Sequence, residues 1–341
     1  MKKRLAALGI VLSMILTIGL CGCGGKEGGG DAGSGGDVQT LRISYVVAET
    51  HASHIAFTEI FKKKLEETGK FKVELYPNGS LGGDADQAQA VSLGQMEMTV
   101  PGEAAVSGIV PEMELVGVPY LFTSIEAARN ALDGDFGAYL EEKLEAKNIV
   151  CLGWGEVGFR EISNNKREIK KPADLKGIKI RTQEVPCHLS YFKALGANPT
   201  PMAFNELFTG LQQGTVDAQE NPVALTYNSK FHEVSKYMSL TDHVYSAAPV
   251  LINRSLYEGL PGDMKKTIDE VAAETVAYQR ELIDQQNNDD AALIEEAGVK
   301  VTELTEAEKE AFRKVAEDSV WDSIIKQYGQ EAWELAVKYN K

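Results

Sequence analysis

The 341-residue chain is 43% hydrophobic and carries a formal charge of −15. Three of its positive charges, Lys2, Lys3 and Arg4, sit at the extreme start; without them the balance is more acidic still, which argues against a nucleic-acid footprint. The acidic balance favours solubility, and any anion site must be locally positive against the global sign.

Behind those three cations lies an uncharged apolar run over residues 5–20. It is short against the ~20 residues that a bilayer span needs, and it reads as a cleaved secretory signal covering residues 1–22. The sequence Leu20-Cys21-Gly22-Cys23 resembles the lipobox of bacterial lipoproteins. That resemblance implies cleavage before Cys23 and a diacylglycerol on its thiol; Cys21 fits less well because bulky Leu20 precedes it. Residues 23–40 are rich in Gly, Ser and acid, a composition that stays a flexible tether. The folded part then starts near Leu41 and is long enough for one large or two medium domains.

From there strands and helices alternate. Residues 41–47 alternate like a strand; Phe57, Ile60, Phe61 and Leu65 form the stripe of an amphipathic helix; residues 71–76 alternate again. A helix over 86–93, a strand over 96–100, a helix over 125–147 and an apolar strand over 149–154 follow. A second set has strands at 178–181 and 215–218, helices at 189–195 and 204–213, and an extended segment at 244–252. Residues 263–296 form one long helix whose polar middle, 284–290, is expected to cross an exposed surface. Closing helices occupy 304–339, with Trp321 and Trp333 as packing residues. The alternation predicts an α/β protein of two lobes, each a mixed sheet flanked by helices, with a ligand cleft between them and the long helix spanning both. The expected division is residues 41–158 plus about 247–286 for lobe I, and 159–246 plus about 287–341 for lobe II.

Signatures of catalysis are absent: there is no Gly-x-Ser-x-Gly, no phosphate loop and no dinucleotide fingerprint on the first β-α turn. His51 and His54 lie three apart, but two ligands do not make a metal site, and both read as helix-start or surface histidines. Cys151 sits in an apolar run as a small core residue; whether it meets Cys187 is open.

The informative block is 153–222. It holds Gly153-Trp154-Gly155, Gly158-Phe159-Arg160, Pro172-Ala173-Asp174-Leu175-Lys176-Gly177-Ile178-Lys179-Ile180-Arg181, Ala194-Leu195-Gly196-Ala197-Asn198-Pro199 and Gln219-Glu220-Asn221-Pro222. In this order and spacing the motifs closely resemble the solute-binding proteins of tripartite ATP-independent periplasmic (TRAP) transporters, DctP type, over roughly 41–304. The resemblance implies capture of a small organic acid outside the cell and delivery to small and large membrane subunits, with no catalysis and no cofactor; a monomer is expected. It implies that Arg181, ending the Lys-Gly-x-Lys-x-Arg strand, clamps the ligand carboxylate, since a guanidinium fork can do so with two parallel hydrogen bonds. It further implies ligand contacts from Arg160 and Asn221, and aromatic walls from Phe204 and Trp154.

Three positions depart from the sialic-acid pattern within that family: Val46 and Gly102 stand where polar residues are found, and Glu184 replaces an asparagine. Sialic acid is therefore disfavoured. A sugar acid is expected instead, with Glu103, Glu184 and His188 bonding hydroxyls; a C4-dicarboxylate, or service to a sensor system or another transporter class, remains the alternative.

Overall fold

The computed structural model describes residues 38–340. The leader at 1–22 and the lipidation residue Cys23 lie outside the described residues, as does the tether up to residue 37.

Strand β1 (Gln39–Ser44) lies between two parallel neighbours, β2 (Phe71–Tyr76) and β3 (Met98–Thr99). Its inward residues Leu41 and Ile43 are fully buried with Phe57, Phe61 and Leu65, the helical stripe read from the sequence. Three short strands build the second lobe: β5 (Lys179–Thr182) runs parallel to both β6 (Asn198–Pro201) and β7 (Ala218–Asn221).

Two long antiparallel strands join these halves: β4 (Ile149–Asn164) and β8 (Tyr237–Asn253). One end of β8 pairs with β3 and the other with β9 (Lys300–Glu303), while the far end of β4 pairs with β7. The sheet order is thus β2-β1-β3-β8-β4-β7-β5-β6, with β9 on β8. Both strands are far longer than the segments 149–154 and 244–252 expected from the sequence, and the expected lobe boundaries at 158/159 and 246/247 fall inside them. Their pairing is broken by three register shifts, between Cys151 and Trp154, Glu156 and Gly158, and Arg160 and Ile162. Bulges raise local twist and bend the strand, which lets two strands carry both halves of one sheet.

The helix Gly262–Glu296 spans 35 residues, roughly 52 Å at 1.5 Å per residue. Ile268, Val271 and Val276 pack into the first-lobe core, whereas Ile294 packs with Val223 and Met238 of the second. It lies close on β4 because β4 presents glycines: a Cβ at Gly153 would stand 3.1 Å from Val276 Cγ2, and one at Gly158 only 2.6 Å from Asn287 Nδ2. The polar middle of this helix is not merely exposed. Gln286 bonds Ala52 N and Thr50 O, Asn287 bonds Ala224 N and Val157 O, Asp284 pairs with Arg129, and Asp290 accepts from Asn228. Its polarity serves backbone groups and partners on both lobes.

Two other expectations shift. The helix over 125–147 is two helices, Ile125–Leu132 and Asp135–Glu145. The strand placed at 215–218 lies at 218–221 instead, because the polar run Gln219-Glu220-Asn221 is fully buried and partnered rather than solvated. Trp321 and Trp333 pack on each other with centroids 5.1 Å apart. Cys151 and Cys187 are both free thiols.

Candidate functional site

A cavity of about 390 Å³ lies where the two halves of the sheet meet, at the small end of the ~300–1,000 Å³ range of small-molecule sites. One wall comes from the segment after β1, the start of the helix Asp84–Ser92 and residues 100–102 and 104–105; the other comes from the end of β5, residues 203–204 and the end of β7.

Arg181 is the penultimate residue of β5 and lines this space, 3% exposed. Its Nε donates to Met202 O at 2.8 Å, while Nη1 is buried and meets no partner among the described residues. Burial lowers its pKa to about 10, opposed by the field of Glu220, so it stays a cation at neutral pH.

Arg160 also lines the cavity but is already engaged. Its Nε donates to Glu220 Oε2, its Nη2 to Glu220 Oε1 at 2.9 Å and to Asn221 Oδ1 at 3.0 Å, and its Nη1 to Ser246 Oγ at 3.3 Å. Burial pushes the Glu220 carboxyl up, but Arg160 and the His243 ring, whose Nε2 stands 3.4 Å away, outweigh it and hold the group well below the usual carboxylate range. Glu220 is thus the direct counter-ion of Arg160, whereas Arg181 makes no ion pair within 4 Å among the described residues. Asn221 is fully buried and spans Arg160 and Gln219.

The remaining expected residues divide. Phe204 lines the cavity and rests edge-on against Phe231, and Glu184 lines it from an exposed position. Trp154 does not reach it: the indole Nε1 donates to Glu141 Oε1 at 3.0 Å and the ring lies in the core, because β4 turns that face toward the helix Asp135–Glu145. Glu103 also lies behind the wall, accepting from Ser246 Oγ at 2.9 Å and Ala247 N at 3.1 Å; burial raises its pKa to about 7 against the field of Arg160. His188 is fully buried, with Nε2 donating to Gly117 O at 2.7 Å, and burial lowers its pKa to about 4. These two side chains point into the second layer, not the cavity.

The three departures noted in the sequence, Val46, Gly102 and Glu184, all line the cavity. The missing side chain at Gly102 leaves room for Gln183 from the opposite wall, whose Nε2 would stand 3.4 Å from a Cβ there. Sequence reasoning missed Gln183, Asp84 and the second nitrogen of His51. Asp84 opens its helix beside Gly102, and its Oδ1 is buried without a partner among the described residues; burial raises its pKa to about 7, opposed by the Gly102 N–H and Arg181. Gln183 Oε1 is likewise unpartnered. The turn-forming Gly82-Gly83 ahead of an acidic helix start was the available signal for Asp84. Nothing local distinguished Gln183. Among the described residues no group of His, Cys, Asp and Glu is arranged to hold a metal ion.

The wall thus combines a desolvated cation with unpaired polar groups and an aromatic face, suited to a small carboxylate bearing further polar atoms.

Comparison with known proteins agrees with this geometry. The family model DctP, bacterial extracellular solute-binding protein, family 7, matches residues 43–327. The 2,3-diketo-L-gulonate-binding periplasmic protein YiaO of Escherichia coli (strain K12) is 37% identical over 299 residues, covering 86% of this chain and 89% of the relative. The sugar acid binding protein DctPAm from Advenella mimigardefordensis, solved in complex with galactonate, aligns with a TM-score of 0.85 at 35% identity, over 89% of this chain and 98% of that one. A TRAP periplasmic solute binding protein from Polaromonas sp. JS666, bound to D-erythronate, aligns at 0.84 and 33% identity over 88% and 98%. This chain belongs to the bacterial extracellular solute-binding proteins of family 7.

Proposed function

We propose that this protein is the ligand-capturing component of a TRAP transporter and that it takes a small sugar acid, gripping the carboxylate with Arg181 and reading hydroxyls with Asp84, Gln183 and Glu184. The observation that carries the reading is Arg181, a cavity-lining cation whose buried Nη1 has no hydrogen-bond partner among the described residues. A buried donor left unpaired costs about 1–3 kcal/mol, more when charged, and a ligand carboxylate removes that cost. A C4-dicarboxylate is served less well. It would bring a second full negative charge, and the other cation of the wall, Arg160, is spent on Glu220.

Arg160 and Asn221 act in this reading as a positioned pair at the cavity floor rather than as the primary clamp. The loaded protein delivers its ligand to the small and large membrane subunits, and no chemical step on the ligand is involved. The lobes are taken as residues 41–158 plus about 247–286 and 159–246 plus about 287–341. The chain is taken to act as a monomer held at the outer face of the cytoplasmic membrane by diacylated Cys23.

Titration calorimetry with galactonate, erythronate, 2,3-diketogulonate and succinate tests the ligand class. Tight binding of at least one sugar acid with weak succinate binding is expected; the reverse order overturns it. Intact-mass analysis of membrane-extracted protein tests the anchor, with an unmodified mature start as the contrary result.

A further inference from the structure

His51 lines the same cavity and carries a polar atom that nothing so far explains. The residue is fully buried and caps the short helix Ala52–Ala56, its Nδ1 accepting from Ser53 N at 3.2 Å. A ring nitrogen that accepts a backbone N–H carries no proton. In the neutral imidazole the proton is then on Nε2, which makes that atom a donor. Nε2 is buried, has no partner among the described residues, and belongs to a side chain lining the cavity. Burial also lowers the pKa of this ring to about 4, so the neutral form holds at physiological pH.

We propose that His51 is a specificity-determining residue, a neutral donor whose Nε2–H bonds a hydroxyl oxygen of the bound ligand from the wall facing Arg181. The inference rests on the sugar-acid reading above and adds to it. A neutral donor satisfies a hydroxyl oxygen without providing the charge that a second carboxylate requires, and Asp84 Oδ1 on the same wall offers an acceptor of the complementary kind. The helix cap therefore does two things: it starts the helix, and it fixes the tautomer that faces the ligand.

The test uses the mature wild-type protein, His51→Asn and Arg181→Ala. Asparagine is a favoured N-cap residue, so the helix start is kept while the shorter side chain withdraws the donor from the cavity. Nitrogen-15 correlation spectra of the histidine side chains, with His51 assigned by its loss in the variant, should show the Nε2–H tautomer and a shift of Nε2 on saturation with galactonate. Calorimetry should show galactonate binding roughly tenfold weaker in His51→Asn, with the apo melting temperature nearly unchanged. An Nδ1–H tautomer, an unmoved Nε2 resonance at saturation, or wild-type affinity in His51→Asn overturns the proposal. If His51→Asn binds normally while Arg181→Ala does not, the role of His51 alone falls. If the wild type binds none of galactonate, erythronate and 2,3-diketogulonate, the sugar-acid reading falls and this inference with it.

Discussion

Glu220 holds Arg160 with both carboxylate oxygens and with its own backbone carbonyl, all inside the protein. One strand of the second lobe thus neutralises a cation from a strand that links the lobes, and the ligand-facing charge is left to Arg181.

Replacing Glu220 with glutamine should leave Arg160 as a buried charge without its counter-ion. Breaking such a pair from one side costs about 3–5 kcal/mol. The apo protein should melt several degrees lower, and unfolding in urea should shift to lower midpoints. The Glu220 carboxyl titrates below its unfolded value, so its stabilisation is present above the unfolded pKa and fades as pH falls toward the folded one. The variant should therefore lose most near neutral pH and differ least in strong acid. A wild-type melting curve at pH 7 would contradict this.

Asp84 has the opposite sign. Burial lifts its carboxyl to about 7. The folded state then binds more protons than the unfolded state between roughly pH 4 and 7, and stability drains away as pH rises through that window. Asp84→Asn removes this dependence. In thermal melts of the apo protein, the variant should gain on wild type between pH 5 and pH 8, with little difference at pH 4. A difference that does not change with pH would show that the carboxyl titrates alike in the folded and unfolded chain, contradicting the raised value.

Asn287 fastens the long helix to both lobes through Val157 O at 3.0 Å and Ala224 N at 2.9 Å. Asn287→Ala leaves two part-buried backbone groups unmatched, at about 1–3 kcal/mol. A fall of a few degrees in melting temperature is expected by calorimetric scanning. An unchanged temperature would mean that water replaces both bonds at no cost.

Much of this architecture was legible in residue order. The period-2 and period-3.6 runs located β1, β2 and the helix carrying Phe57, Phe61 and Leu65, and the Lys-Gly-x-Lys-x-Arg strand pointed to Arg181. What stayed hidden were relations between distant segments. Arg160 and Glu220 lie sixty positions apart and meet only because β4 and β7 pair antiparallel, with Glu161 opposite Asn221. Local hydropathy placed the strand at 215–218 because Gln219, Glu220 and Asn221 look solvated; their partners make them interior. Trp154 and His188 carry the right chemistry, but neighbouring segments turn each away from the cavity, onto Glu141 and Gly117. His51 was visible as a helix start, while its place in the lining of a cavity depends on the opposite lobe.

The most direct measurement of the central claim is calorimetric titration of Arg181→Ala and Arg181→Lys with the tightest sugar acid found for the wild type, paired with melting curves of the ligand-free proteins. Truncating one side of a desolvated charge pair costs about 2–5 kcal/mol, which is roughly thirtyfold or more in affinity. Lysine should rescue poorly, because an ammonium cannot reproduce the guanidinium fork. Since Arg181 Nη1 has no partner among the described residues and the side chain makes no ion pair there, the loss being the one bond to Met202 O, the ligand-free variants should melt close to wild type. Near-normal affinity together with a large loss of apo stability would contradict the account.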